Sequence, residues 1–169
     1  MKYFAGLTTV AEIKAKFKEL AFRHHPDLGG DTETMKIINA QYHDALQSAN
    51  GQQNKGSDSK EHTYRYDEAT EQAIAEKLDE LLGLQLEEVE IAIIGTWLWV
   101  TGNTKPHKDQ LGKNGIGLSW HTSRQAWYFN STGHRAYSSN AYLESLARTY
   151  GVTNVENFKR KSKKLSKAH

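Results

Sequence analysis

Between Phe22 and Gly29 the chain reads FRHHPDLG, which gathers two imidazoles and a carboxylate around one proline. Three chemistries use such residues. Acid/base catalysis would take His25 as base and Asp27 as its orienter, but no nucleophile or second site stands nearby. Two side chains two positions apart on a tight loop also need not face each other. Metal ligation by His24 and His25 lacks a third ligand, and adjacent side chains diverge. The sequence therefore assigns no catalytic residue, no metal site and no cofactor. The third chemistry is recognition: Pro26 stiffens the turn, so little entropy is lost when a partner meets the short polar groups of His25 and Asp27. A plain helix-terminating turn is the bland alternative.

A second group lies further on. All four tryptophans, Trp97, Trp99, Trp120 and Trp127, fall within one stretch that also carries Lys105, Lys108, Lys113 and Arg124. Aromatic faces beside cations suit single-stranded nucleic acid, whose bases stack and whose phosphates pair with lysine and arginine. The alternative is that a small sheet uses large side chains to fill its core. That alternative is the stronger one for Trp97 and Trp99, which alternate with Leu98 and Val100. The end of the chain, KRKSKKLSK, adds Lys159, Arg160 and Lys161 to this cationic set; it reads equally as a solubilising tail.

Several elements must position these groups. Thr9-x-x-Glu12 is a capping-box pattern, and Ile13, Phe17, Leu20, Ala21 and His24 then recur on one helical face. Pro26 disfavours helical backbone at His25, so that helix is predicted to end near His24. Asp31 caps a second helix to about Leu46, with Met35, Ile38, Tyr42, Ala45 and Leu46 inward. Two helices joined by a short loop form an antiparallel hairpin. NGQQNKGSDSKEHT, from Asn50 to Thr63, contains no apolar residue and predicts a flexible linker.

A third, acidic helix is predicted from about Asp67 to Leu82, its stripe of Ile74, Leu78, Leu81 and Leu82 packing on the C-terminal sheet. Val89–Ile94 and Trp97–Val100 predict a hairpin through Gly95-Thr96. A short helix is expected over Lys105–Lys113, strands over Ile116–Trp120 and Gln125–Phe129, and a last helix over Asn140–Tyr150.

Composition narrows the class. The chain has 169 residues, of which 37% are hydrophobic, and this favours small modules over one large core. It has no cysteine, which excludes disulfides and thiolate metal sites and fits a cytoplasmic location. No apolar run reaches the length of a membrane span. The net charge of +2 hides segregation. Residues 61–90 carry ten acidic side chains against Arg65 and Lys77, whereas the segment from 91 onward is strongly basic. A basic end can meet a polyanion.

EIKAKFKELAFRHHPD, followed by GGDTETMKIINAQY at this spacing, resembles the J-domain of the DnaJ family of cochaperones. The resemblance covers residues 3–46. It implies docking on a DnaK-type seventy-kilodalton heat-shock chaperone and stimulation of that partner's ATP hydrolysis, the chain itself being no enzyme. The tripeptide His25-Pro26-Asp27 would make the contact, and Lys14, Lys18 and Arg23 would offer a positive face to an acidic partner surface. The pattern departs from the family at His24, where a tyrosine is usual. The first short helix is compressed into Tyr3–Leu7, and a fourth helix is missing after Leu46. W-x-W-V-T-G-N-T with the later A-W-Y resembles a small β/α module of phage and plasmid proteins.

The expected fold is α+β: an N-terminal antiparallel helical hairpin of J-domain type over 1–49, a linker over 50–64, a small α+β domain with an antiparallel sheet over 65–155, and a basic tail over 156–169. The expected function is that of a cochaperone whose C-terminal module selects a client or assembly. The alternative is a nucleic-acid-binding accessory protein of a phage or mobile element.

Overall fold

The computed structural model describes residues 2–55 and 61–133; the expected helix over 140–150 and the basic tail, including Lys159, Arg160 and Lys161, lie outside the described residues. Helix α1 spans Val10–His24 and α2 spans Thr32–Ser48. Strands β1 (Gln53–Lys55) and β2 (Glu61–Thr63) precede α3 (Glu68–Gly83). Strands β3 (Val89–Ile94) and β4 (Trp97–Gly102) come next, then a short helix α4 (Lys108–Leu111), β5 (Ser119–His121) and β6 (Ala126–Asn130). The fold is α+β.

Each long helix begins where a side chain can satisfy its free N–H groups. Thr9 accepts from Glu12 N–H while the Glu12 carboxylate reaches back to Thr9, closing the capping box before α1. Asp31 caps α2 through Thr34 N–H at 2.8 Å, and Asp67 caps α3 through Thr70 N–H at 2.8 Å. α1 and α2 pack against each other by the predicted stripe. Phe17 stacks on Tyr42 with ring centroids 3.9 Å apart, and Ile38 and Leu46 are fully enclosed.

The four-stranded sheet is antiparallel throughout, in the order β3-β4-β6-β5. Alternation puts Ile91, Ile93, Leu98, Val100, Trp127 and Phe129 on the face that α1 and α3 cover. Ala92, Ile94, Trp97, Trp99 and Tyr128 occupy the opposite face, where Trp99 and Tyr128 lie 5.4 Å apart. One apolar cluster runs from Phe4 through all three long helices to Leu118.

Across the boundary expected between a hairpin module and a C-terminal domain, α3 and β3 pack on the core of α1 and α2, because two helices alone would leave the second face of α1 wet. At the described ends of the segment expected as a linker over 50–64, two short strands pair. Gln53 pairs with Thr63 and Lys55 with Glu61, while Gly51 N–H donates to Tyr64 O and Tyr64 N–H to Gln52 O. A ladder of backbone hydrogen bonds needs no apolar side chain, so composition could not reveal it.

The helix expected over Lys105–Lys113 divides into a 3-10 turn, Lys105–His107, and α4. The strand expected over Ile116–Trp120 starts only at Ser119, since Gly117 has φ +78° and breaks extended backbone. Tyr3–Leu7 forms a turn closed by Leu7 N–H to Phe4 O. Among the described residues, no helix is long and apolar enough to cross a membrane.

Candidate functional site

The turn between α1 and α2 is built by its own sequence. Pro26 cannot follow a helical residue comfortably, and His25 accordingly adopts φ −62° and ψ 130°, ending α1. Pro26–Leu28 then form one 3-10 turn, with Pro26 at the position where a missing N–H costs nothing. His25 carbonyl oxygen accepts from Leu28 N–H at 3.0 Å and from Gly30 N–H at 2.9 Å. Gly29 supplies the left-handed residue, φ +89°, that returns the chain. At Gly30 a Cβ would lie 2.1 Å from the His24 carbonyl carbon, so this close approach requires glycine.

The two polar ends of the tripeptide face opposite ways. His25 is buried and its ring turns inward. Its Nδ1 accepts from Asp27 N–H at 3.2 Å, which leaves the ring proton on Nε2 in the neutral form. Nε2 lies 3.0 Å from Asp79 Oδ1 on α3, yet the approach is off the ring's N–H axis and leaves Nε2 without an aligned hydrogen bond. Pro26 and Asp27 are exposed. The Asp27 carboxylate forms no ion pair with a described residue, and its Oδ2 would lie 3.0 Å from a Cβ placed on Gly83. Gln85 Nε2 donates to Asp27 O at 2.6 Å. The tip is therefore seated on the C-terminal end of α3.

Behind His25 lies a cavity of about 360 Å³ among the three long helices. Phe17, Ala21 and Met35 line its apolar side, and Glu76, Asp79 and Glu80 its acidic rim. Phe22, 64% exposed, and Arg23, paired with Glu19 at 2.9 Å, complete the surface beside the turn.

The expected positive face does not form at Lys14 or Lys18. Lys14 is buried and donates to Glu71 Oε1 at 3.0 Å and to Gly95 O at 2.7 Å. Desolvation lowers its pKa against the opposing pull of Glu71. Lys18 donates to Ile91 O at 2.9 Å, and burial lowers its pKa too, with Glu90 working the other way. Both lysines sit on the α1 face that α3 and β3 cover. Of the expected chaperone-facing set, Arg23, Pro26 and Asp27 reach the surface, His25 lies beneath it, Lys14 is a buried strut and Lys18 a half-buried one.

Glu71 is the residue that sequence reasoning missed. Besides Lys14 it accepts from Tyr64 Oη at 2.8 Å and from Tyr42 Oη at 3.4 Å, tying α1, α2, α3 and the β3–β4 turn together. Burial, reinforced by the Glu71 charge, pushes both tyrosine hydroxyls well up from their usual range. Nothing in the spacing of Lys14 and Glu71, 57 positions apart, could announce this pair.

The aromatic set sorts by face. Trp99 is 1% exposed, with Arg124 stacked over it at 5.0 Å. Arg124 therefore belongs to the face opposite Trp127 and is not brought together with it. Trp120 pairs directly with Trp127 across β5 and β6, is 44% exposed, and has Lys108 and Lys113 on the neighbouring segment. Comparison of the chain with family models, curated proteins and solved structures yields no match in any of the three.

Proposed function

We propose that the chain is a J-type cochaperone that docks on a DnaK-type heat-shock chaperone and promotes its ATP hydrolysis. The observation that carries this reading is a proline-locked turn between two paired antiparallel helices, with His25-Pro26-Asp27 at its apex and the Asp27 carboxylate exposed and in no ion pair with a described residue. His25 acts as a positioning residue. By accepting Asp27 N–H from below it fixes the turn, so the carboxylate stands ready and little conformational entropy is lost on contact.

The surface around the apex sets the sign of the partner. Lys14 is buried and Lys18 half-buried, each bonded inward, whereas Glu76, Asp79 and Glu80 border the same end of the molecule as Asp27. The fitting partner face carries basic side chains, with an apolar spot for Phe22. The client or assembly chosen by the sheet half of the chain belongs to the same proposal.

Titrating a bacterial DnaK-type protein with the chain at increasing salt tests this polarity. Affinity should fall as salt rises, and Asp79→Lys/Glu80→Lys should weaken it further. Tighter binding by the lysine variant would mean that the partner face is acidic.

A further inference from the structure

The groove beside Trp127 is a second site, distinct from the hairpin tip. It is an open groove of about 370 Å³ lined by Lys108, Asp109, Lys113, Asn114, Leu118 and Trp127, at the small end of the range of ligand sites. Its walls are fixed by backbone. Ile116 N–H donates to Gln110 O at 2.8 Å, and Gly117 N–H donates to Gly112 O at 2.9 Å. Leu118 N–H donates to Leu111 O at 2.8 Å, so the loop after α4 is folded back onto the end of α4. A Cβ on Gly112 would come within 3.3 Å of the Trp127 ring, so glycine there lets the indole lie close along the loop.

Trp120 is the ring neighbour of Trp127. It lies opposite Trp127 on the edge strand, ring centroids 5.3 Å apart, and is one of three large apolar side chains exposed among the described residues. Three cations, Lys105, Lys108 and Lys113, occupy the same segment and form no ion pair with a described residue; Asp109 offsets one of them. The segment thus joins a π-face open to solvent, an open groove, an amide at Asn114 and cations available to phosphate.

We infer that this groove binds single-stranded nucleic acid, one base entering beside Trp127 and the next stacking on Trp120, with Lys108 and Lys113 on the phosphates. Single strands fit because both ring faces of an unpaired base are free, whereas a duplex keeps them closed in its stack. The site involves no residue of the hairpin tip, so it stands or falls independently of the cochaperone reading.

The test is anisotropy of a fluorescein-labelled oligothymidylate with the full chain, at several salt concentrations. Trp120→Ala should weaken binding about ten-fold, the scale of one base stack, and Trp120→Phe should retain most of it. Lys108→Gln/Lys113→Gln should lower the slope of log Kd against log salt by about 0.7 for each phosphate left unpaired. Circular dichroism melts confirm that the variants fold, as the 44% exposure of Trp120 leads one to expect. The inference is overturned if Trp120→Ala binds as the parent chain does, if a duplex of the same length or polyglutamate binds equally well, or if no oligonucleotide binds at low salt.

Discussion

His25 Nε2 and Asp79 Oδ1 lie 3.0 Å apart across the junction of the hairpin tip and α3, and the two residues differ sharply in exposure: the His25 side chain is 4% accessible and that of Asp79 63%. The contact is short but poorly aligned, and half of it is in water. The tip is therefore held by burial of the imidazole and by the bond from Asp27 N–H more than by the Asp79 contact.

This ranking can be measured. His25→Ala should cost about 2–4 kcal/mol, since it empties a buried site and releases the turn. Asp79→Ala should change stability by less than about 0.5 kcal/mol. Urea denaturation of the two variants gives both numbers; equal destabilisation would make the Asp79 contact the true anchor.

The buried Lys14–Glu71 pair gives the opposite expectation. Removing Glu71 strands an ammonium in the core, so Glu71→Ala should destabilise by about 3–5 kcal/mol. In Lys14→Met/Glu71→Gln no charge is buried, and the amide still accepts from Tyr64. That double variant should recover most of the stability, and a double-mutant cycle reads the coupling directly.

Acid should weaken the fold through its helix starts. Cap hydrogen bonds from Thr34 and Thr70 hold the Asp31 and Asp67 carboxyls below their ordinary range, and Thr9 does the same for Glu12. A carboxyl with a lower pKa folded than unfolded binds fewer protons in the native state. Its stabilisation is present above the unfolded value and is lost as pH falls through the folded one. Thermal melts should therefore decline below the ordinary carboxylate range. Asp31→Asn/Asp67→Asn, which keeps the caps without the charge, should flatten that decline; an unchanged profile would place the acid sensitivity elsewhere.

The helices were legible because their signals are local: a capping box at Thr9, caps at Asp31 and Asp67, a proline after His25, and stripes such as Phe17, Leu20 and Tyr42. The β3–β4 hairpin was legible for the same reason, its β-branched and aromatic runs meeting at Gly95. What escaped depends on contacts distant in sequence. Lys14 and Lys18 look like a solvated face until β3 and α3 are laid over them. The β1–β2 ladder rests on backbone bonds that side-chain type does not encode. The apex of the candidate site was readable as a rigid turn, but the inward set of the His25 ring was not, because Asp79, Gly83 and Gln85 come from a helix end more than fifty positions away.

The central claim is tested most directly by the ATPase rate of a bacterial DnaK-type chaperone titrated with the full chain and with its Asp27→Asn form. Asp27 is exposed, so the substitution leaves the fold standing while removing the charge at the apex. The account predicts a saturable rise in hydrolysis with the parent chain and none with Asp27→Asn. A parent chain that leaves the rate unchanged, or a variant that stimulates equally, would contradict it.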